Sequence, residues 1–147
     1  MRVLLWIAVC LFVMGTAPQN AVAAGRTHKL ALQVSDNNAE KMDTTLSVAA
    51  NVSRYYAEQG DSVDIVIVAF NDGLHMLRED TSPVKARLQG FDESMPNVAF
   101  VACGMTLQSM SRKEGKKIPL LKAVEIAPSG VVKLLDIAEQ GYTLVRP

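Results

Sequence analysis

The sequence predicts an α/β fold in which a mostly parallel sheet carries helices on both faces. Short apolar runs typical of buried strands alternate along the chain with segments whose apolar residues recur at helical spacing. The connections between successive strands are too long for hairpins, and parallel strands require such crossovers. No internal repeat, low-complexity tract or linker interrupts residues 25–147, so we expect a single domain there.

Residues 1–24 have the pattern of a secretory signal peptide. Arg2 gives a positive start, an apolar core extends from Val3 to Met14, and Ala21 to Ala24 offers small residues for cleavage. The core has about a dozen residues, whereas a membrane span needs roughly 20. A retained membrane anchor is the alternative. We expect a periplasmic or secreted protein that is not held by the membrane after cleavage.

Two strands and a long helix are predicted in the first half of the domain. Lys29 to Ser35 is mostly apolar and predicts the first strand. The polar residues that follow can cap a helix, which helical spacing predicts from Ala39 to about Gln59, with Gly60 ending it. Val63 to Phe70 is the strongest strand, because its consecutive β-branched residues suit a central strand covered on both faces.

The middle of the chain predicts shorter elements. Asn71 to Gly73 breaks the second strand and opens a short helix from Leu74 to Arg78. Another helix is expected to begin at Ser82 and Pro83, where a helix tolerates proline. Asn97 to Ala102 predicts the third strand, closed by Cys103.

The rest of the chain predicts two more helices and two more strands. A helix is expected from Thr106 to Arg112, followed by a charged loop over residues 113–117 and a fourth strand from Val124 to Ala127. The last strand is predicted from Tyr142 to Val145. Between them lies a helix whose apolar face is expected to carry Val131, Leu134, Leu135 and Ala138.

Charge and cysteine content exclude two classes of function. Without residues 1–24 the chain keeps 14 basic and 15 acidic residues, a formal charge of −1, which does not indicate nucleic-acid binding. The basic residues between 112 and 117 are interpreted as a solvated loop. Cys10 leaves with the leader, and an exported chain with Cys103 alone cannot be a disulfide scaffold. That thiol is then inert and buried, bridged to another chain, or reactive.

Cys103 is the main candidate for chemistry. We expect it at the carboxyl end of a strand and the amino end of a helix, open at the rim of the sheet. Ligands bind at this edge of α/β sheets, and helix amino termini favour thiolate. Gly104 lets the backbone turn and a partner approach, while Thr106 is a candidate helix cap or a donor to the sulfur anion. The alternative for Cys103 is a small buried apolar residue.

Other candidate residues follow the second strand. Asn71, Gly73 and His75 are binding candidates at the same edge, although an ordinary surface or half-buried position is the commoner explanation for His75. Asp72 and Glu125 are better explained as turn or solvent residues than as general bases. The sequence has no P-loop, dinucleotide fingerprint, Cys-x-x-Cys pair or nucleophile elbow. With one cysteine and two histidines left, we expect no metal and no cofactor.

Several segments resemble the DsrE/DsrF-like family of small α/β proteins. The resemblance rests on Phe100 to Thr106 and on the closing Gly141 to Pro147, with Asn51 and Val66 to Leu74 matching the usual layout. It implies a three-layer α/β/α domain over residues 25–147, with a mostly parallel five-stranded sheet, usually assembled as a trimer or hexamer. It also implies sulfur relay, in which a cysteine carries sulfur as a persulfide between partners.

The corresponding residue in this chain is Cys103, so the expected function is sulfur carriage with at most sulfurtransferase-like activity. The expected partner is a sulfur donor or acceptor protein or a small sulfur compound. Met105 stands where many relatives carry asparagine, and the export signal places the protein away from cytoplasmic relay systems. One cysteine without a resolving thiol fits carriage better than disulfide exchange. The alternative is a non-catalytic module of the same fold, used for small-ligand binding or assembly.

Overall fold

The structure, a computed structural model, describes residues 25–147. The predicted signal peptide, residues 1–24, lies outside the described residues. The strands are β1 (Thr27–Val34), β2 (Ser62–Ala69), β3 (Val98–Cys103), β4 (Val124–Ala127) and β5 (Thr143–Val145). The helices are α1 (Ala39–Glu58), α2 (Lys85–Ser94), α3 (Gly104–Glu114) and α4 (Gly130–Glu139), and a 3-10 segment covers Asn71–Leu77.

The strands form one sheet in the order β4-β3-β2-β1-β5, and every pairing is parallel. The predicted α/β fold with a five-stranded sheet is therefore confirmed, and the sheet within the described residues is wholly parallel. As a result, all strand carboxyl ends lie at one edge of the sheet. None of the helices within residues 25–147 is long and apolar enough to span a membrane.

The two faces of the sheet are covered unequally. On one face α1, α2 and the 3-10 segment pack on a large apolar cluster that includes Leu32, Ile67 and Phe100, and α3 contributes Leu107 at its margin. The cluster on the other face is smaller, and Leu134 is one of two buried residues that α4 adds to it. β2 is covered on both sides, which explains its continuous run of β-branched residues.

The long first helix forms where its spacing predicts it. The Asn38 side chain accepts a hydrogen bond from the Lys41 N–H at 2.9 Å, which caps the first turn. The helix ends at Glu58, and Gly60 takes a left-handed backbone conformation with φ of +76° just beyond it. Capping residues therefore determine both ends of α1.

Some predicted boundaries are shifted. The 3-10 segment starts at Asn71 in place of Leu74, because Asn71 itself turns the chain with φ of +48°. Helix α2 begins at Lys85, since the Ser82 hydroxyl donates to the Met76 carbonyl and holds the preceding residues in a turn. Helix α3 runs from Gly104 to Glu114, so the charged loop begins later than predicted.

The predicted apolar face of α4 is wrong in part. Leu134 is buried as expected, but Val131 and Leu135 are 52% and 62% exposed, and Ala138 is also exposed. The reason is the first residue of the helix, Gly130, which packs directly on the Phe70 side chain. Positions four and seven residues later therefore face the sheet, and the positions between them turn outward.

Candidate functional site

Cys103 is the last residue of β3 and the N-cap of α3. It stands opposite Ala127 of β4, so its position is fixed by pairing within the sheet. The strand end and helix start predicted from the sequence are both present at this residue. Because every strand is parallel, Cys103 lies at the same edge of the sheet as the turns that follow β1, β2 and β4.

The expectation that Cys103 lies open at the rim is wrong, because the residue is only 5% exposed. The chain following β4 covers it. A Cβ atom added to Gly130 would lie 3.2 Å from the Cβ of Cys103 and 3.0 Å from the Cβ of Phe70. Since glycine has no side chain, the start of α4 can approach this closely and bury the thiol.

The surroundings of the buried sulfur are nevertheless polar. Burial raises the pKa of the Cys103 thiol, but hydrogen bonding from the Thr106 hydroxyl and from the backbone N–H groups of Thr106, Gly130 and Met105 outweighs it, so the pKa lies below its usual value. The Met105 N–H also donates to the Pro128 carbonyl at 3.1 Å, which weakens its hydrogen bond to the sulfur. The donors belong to the amino-terminal ends of two helices, α3 and α4, and both favour an anion.

Thr106 is oriented by the backbone of Asn71. The Asn71 N–H donates to Thr106 Oγ1 at 3.1 Å. Because a hydroxyl carries a single proton, this bond leaves the Thr106 proton available to the sulfur. Asn71 is the only non-glycine residue in the described range with a positive φ, and asparagine tolerates that conformation well. The structure thus brings Asn71 and Thr106 together beside Cys103.

The two glycines predicted as binding residues pack against this chain's own backbone. A Cβ added to Gly104 would lie 3.1 Å from the Ala127 carbonyl oxygen, so the residue permits α3 to start close to the end of β4. A Cβ added to Gly73 would lie 2.3 Å from the Val34 carbonyl oxygen. Gly73 is buried, and its position supports a packing role in place of the predicted binding role.

His75 does not join the group around the thiol. Its Nδ1 lies 2.8 Å from the Thr81 hydroxyl oxygen, in the loop that precedes α2. Within residues 25–147 no hydrogen bond connects His75 to Cys103 or Thr106, so its position does not support the predicted binding role. Asp72 and Glu125 are both exposed, as expected of turn and solvent residues.

A cavity of about 480 Å³ has Thr106 in its wall. Its walls include Asn71, Asp72 and Lys113 together with Thr106 itself. Cys103 is not part of its lining. Polar space therefore lies beside Thr106, whose hydroxyl donates to the sulfur. Within the described residues, no group of three or more His, Cys, Asp or Glu side chains could hold a metal ion.

A buried arginine holds the other end of α3. Arg78 is 2% exposed and donates to both carboxylate oxygens of Asp80 at 2.8 Å and to those of Glu114 at 2.5 and 3.0 Å. The guanidinium lowers the pKa of both carboxyl groups below its ordinary range. Glu114 is the last residue of α3, so this ion pair fixes the helix that begins at Cys103.

Gly130 and Phe70 belong to the site, although neither was among the predicted site residues. A glycine opening a helix after a strand was visible at Gly130, but its contact with Cys103 depends on how α4 crosses the sheet. Phe70 was assigned only to the end of a strand. Asn71 was proposed for binding, whereas its backbone N–H makes the contact that matters at the site.

The chain was compared with known families and structures. The model of the DsrE/DsrF-like family matches residues 9–147. Among solved structures, a protein of unknown function from Methanobacterium thermoautotrophicum is similar with a TM-score of 0.67 and 24% identity, covering 82% of this chain and 99% of that chain. This similarity shows a shared fold. A search of curated proteins found no significant match.

Proposed function

We propose, starting from the fact that this chain belongs to the DsrE/DsrF-like family, that it carries reduced sulfur as a persulfide on Cys103. The observation that supports the proposal is the set of donors around the buried sulfur. Together they lower the thiol pKa despite burial, and the thiolate is the form that attacks sulfur. The resemblance to relay proteins supplies the chemistry, and the single cysteine of the domain suits a carrier.

The transfer step moves one sulfur atom without net oxidation. The Cys103 thiolate attacks the terminal sulfur of a donor persulfide, R–S–SH. A new S–S bond forms on Cys103, the old S–S bond of the donor breaks, and the donor leaves as the thiolate R–S⁻. The reverse step, with an acceptor thiolate attacking the outer sulfur, unloads the carrier. The 5% exposure of Cys103 favours a small sulfur compound as the direct donor.

Mass spectrometry after incubation with polysulfide tests the proposal. Cleavage after Arg87 and Arg112 releases a tryptic peptide, residues 88–112, in which Cys103 is the sole cysteine. We expect this peptide to gain the mass of one sulfur atom and to lose it on reduction. Cys103→Ser keeps a small polar side chain and is the matched control. Full-length protein that shows no added sulfur on this peptide, while free glutathione reacts in the same tube, would refute the carrier.

A second function is favoured by the burial of Cys103. The residue belongs to the apolar cluster beneath α4, which also suits a non-catalytic module for small-ligand binding or assembly. Thiol titration of the native protein separates the two functions. A carrier reacts with a small disulfide reagent while folded, whereas the module reacts only after unfolding.

We also propose that the protein is exported and assembles as a trimer or hexamer. The leader-like residues 1–24 support export. Amino-terminal sequencing of protein recovered from the periplasm would show cleavage near Ala24. Assembly is supported by the family and by the exposed apolar residues on the sparsely covered face, Val131, Leu135 and Leu144. Light scattering of the wild type should give a mass that is a multiple of the chain mass. The mass of the Leu135→Glu variant should be lower.

A further inference from the structure

The edge strand β4 has no partner strand on its outer side within the described residues. Natural edge strands are commonly protected by proline, lysine or a bulge. β4 is short, with four residues, and carries one charged side chain, Glu125, but it includes neither proline nor lysine and its register with β3 continues without interruption. Ile126 is 62% exposed on this strand. The backbone groups on the outer side are therefore free to pair with another extended segment.

Grooves flank β4 on both faces of the sheet. On the α3 side a groove of about 860 Å³ is lined by Val124 and Ile126, together with Leu107 and other apolar residues. On the α4 side a groove of about 420 Å³ includes Glu125 and Ala127 in its walls. Successive side chains of a strand point to opposite faces. A strand added beside β4 would therefore place alternate side chains in the two grooves.

The rim of the α3-side groove is basic. Arg112 and Lys117 both line it, and neither makes a salt bridge in the part of the chain that the structure describes. The neighbouring acid Glu114 is already occupied by Arg78. An apolar groove with two free cations at its rim attracts a segment that combines apolar side chains with carboxylates.

We propose that β4 is a docking edge for an extended, acidic segment of a partner protein, which adds to the sheet as a sixth strand. Main-chain hydrogen bonds to β4 supply affinity, and the grooves select apolar side chains at alternate positions. Carboxylates of the segment pair with Arg112 and Lys117. A second copy of β4 fits less well, since antiparallel pairing centred on Glu125 would put two like charges opposite each other.

The docking edge lies close to the thiol. Cys103 and Ala127 are opposite each other on β3 and β4, so a sixth strand would pass two strand spacings, roughly 10 Å, from Cys103. If Cys103 carries sulfur, a partner docked here would lie close to the carrier residue. The role of the docked partner in sulfur transfer rests on the proposed function, whereas the docking itself does not involve the thiol.

Fluorescence anisotropy with synthetic peptides tests the docking edge on the full-length protein. The probes are labelled seven-residue peptides in which valine or isoleucine alternates with threonine and glutamate stands at both ends. We expect saturable binding that N-methylation of alternate backbone amides abolishes and that replacing glutamate by lysine weakens about tenfold. Cys103→Ser should bind equally well, which keeps this result separate from any failure of the sulfur chemistry.

Protein variants locate the binding. Ile126→Glu should weaken it about tenfold or more, whereas Tyr55→Glu, at a 59% exposed position on α1, should leave it unchanged. The double variant Arg112→Gln/Lys117→Gln changes only exposed side chains, so it provides a second test of the docking edge if Ile126→Glu does not fold. The proposal is overturned if no peptide binds better than its N-methylated form, or if Ile126→Glu and Tyr55→Glu bind alike. If the wild type is a dimer that Ile126→Glu dissociates, the edge belongs to a second copy of the chain. If the wild type binds phosphatidylglycerol vesicles and Ile126→Glu does not, the edge belongs to a membrane surface. Either result overturns the proposal of a partner segment.

Discussion

Cys103 and Arg78 are buried polar residues at opposite ends of α3, yet their surroundings differ in kind. Arg78 is 2% exposed, and its positive guanidinium pairs with two negative carboxylates. Cys103 is 5% exposed in the apolar cluster beneath α4, and its polar neighbours are the Thr106 hydroxyl and backbone N–H groups. The arginine is electrically satisfied as it stands, which suits a structural tie. The sulfur is favoured as an anion without a permanent counter-charge, which leaves it capable of reaction.

Removing Arg78 should have the largest effect on stability. Arg78→Ala removes the buried cation that Asp80 and Glu114 share and leaves them the exposed Lys116, so we expect a loss of about 3 kcal/mol in the free energy of unfolding. Arg87→Ala is the matched control, because Arg87 pairs with Asp43 on the surface. It should cost at most about 1 kcal/mol. Urea unfolding followed by circular dichroism gives both values, and equal losses would remove the distinction between the two arginines.

Changing Thr106 should alter the ionisation of the Cys103 thiol. Thr106→Val deletes the hydroxyl that donates to Cys103, so the pKa of the thiol should rise. The midpoint of the pH dependence of iodoacetamide labelling measures this shift. Thr106→Ser keeps the hydroxyl and should retain the wild-type midpoint. An unchanged midpoint in Thr106→Val would mean that the backbone donors alone set the thiol pKa.

Acid should produce the smallest effect, at the arginine end. Arg78 lowers the folded-state pKa of Asp80 and Glu114 below that of the unfolded chain. The stabilisation from these pairs is therefore complete above pH about 5, where both side chains are also ionised in the unfolded chain, and it decreases as the pH falls further. The urea midpoint of the wild type should drop between pH 5 and pH 3 by more than that of Arg78→Ala. Parallel decreases in the two proteins would show that other carboxylates, such as Asp36 and Asp61, account for the acid sensitivity.

Local patterns predicted the elements but not the contacts between them. The β-branched run of β2, the caps of α1 and the strand-to-helix junction at Cys103 were readable because each depends on neighbouring residues. The burial of Cys103 was not readable, because Gly130 covers it from a different element. The same contact rotates α4, which is why Val131 and Leu135 turned outward against the prediction.

The burial of Arg78 was also not readable from its neighbouring residues. The sequence analysis placed Arg78 only at the end of a short helix, and arginine is rarely buried without partners. Its partner Glu114 lies 36 residues later, at the end of a helix that was predicted to stop before it. The ion pair could not be predicted, because it depends on α3 extending as far as Glu114.

The position of β5 in the sheet has a consequence for how the chain folds. β1 to β4 lie side by side in the order in which they occur, so each can join the sheet next to the strand formed before it. β5 instead returns to β1, and the nearby Arg146 reaches Asp36 across 110 positions of sequence. Closing so distant a contact is slow compared with the local steps. We therefore expect the pairing of β5 with β1 to be among the last contacts to form.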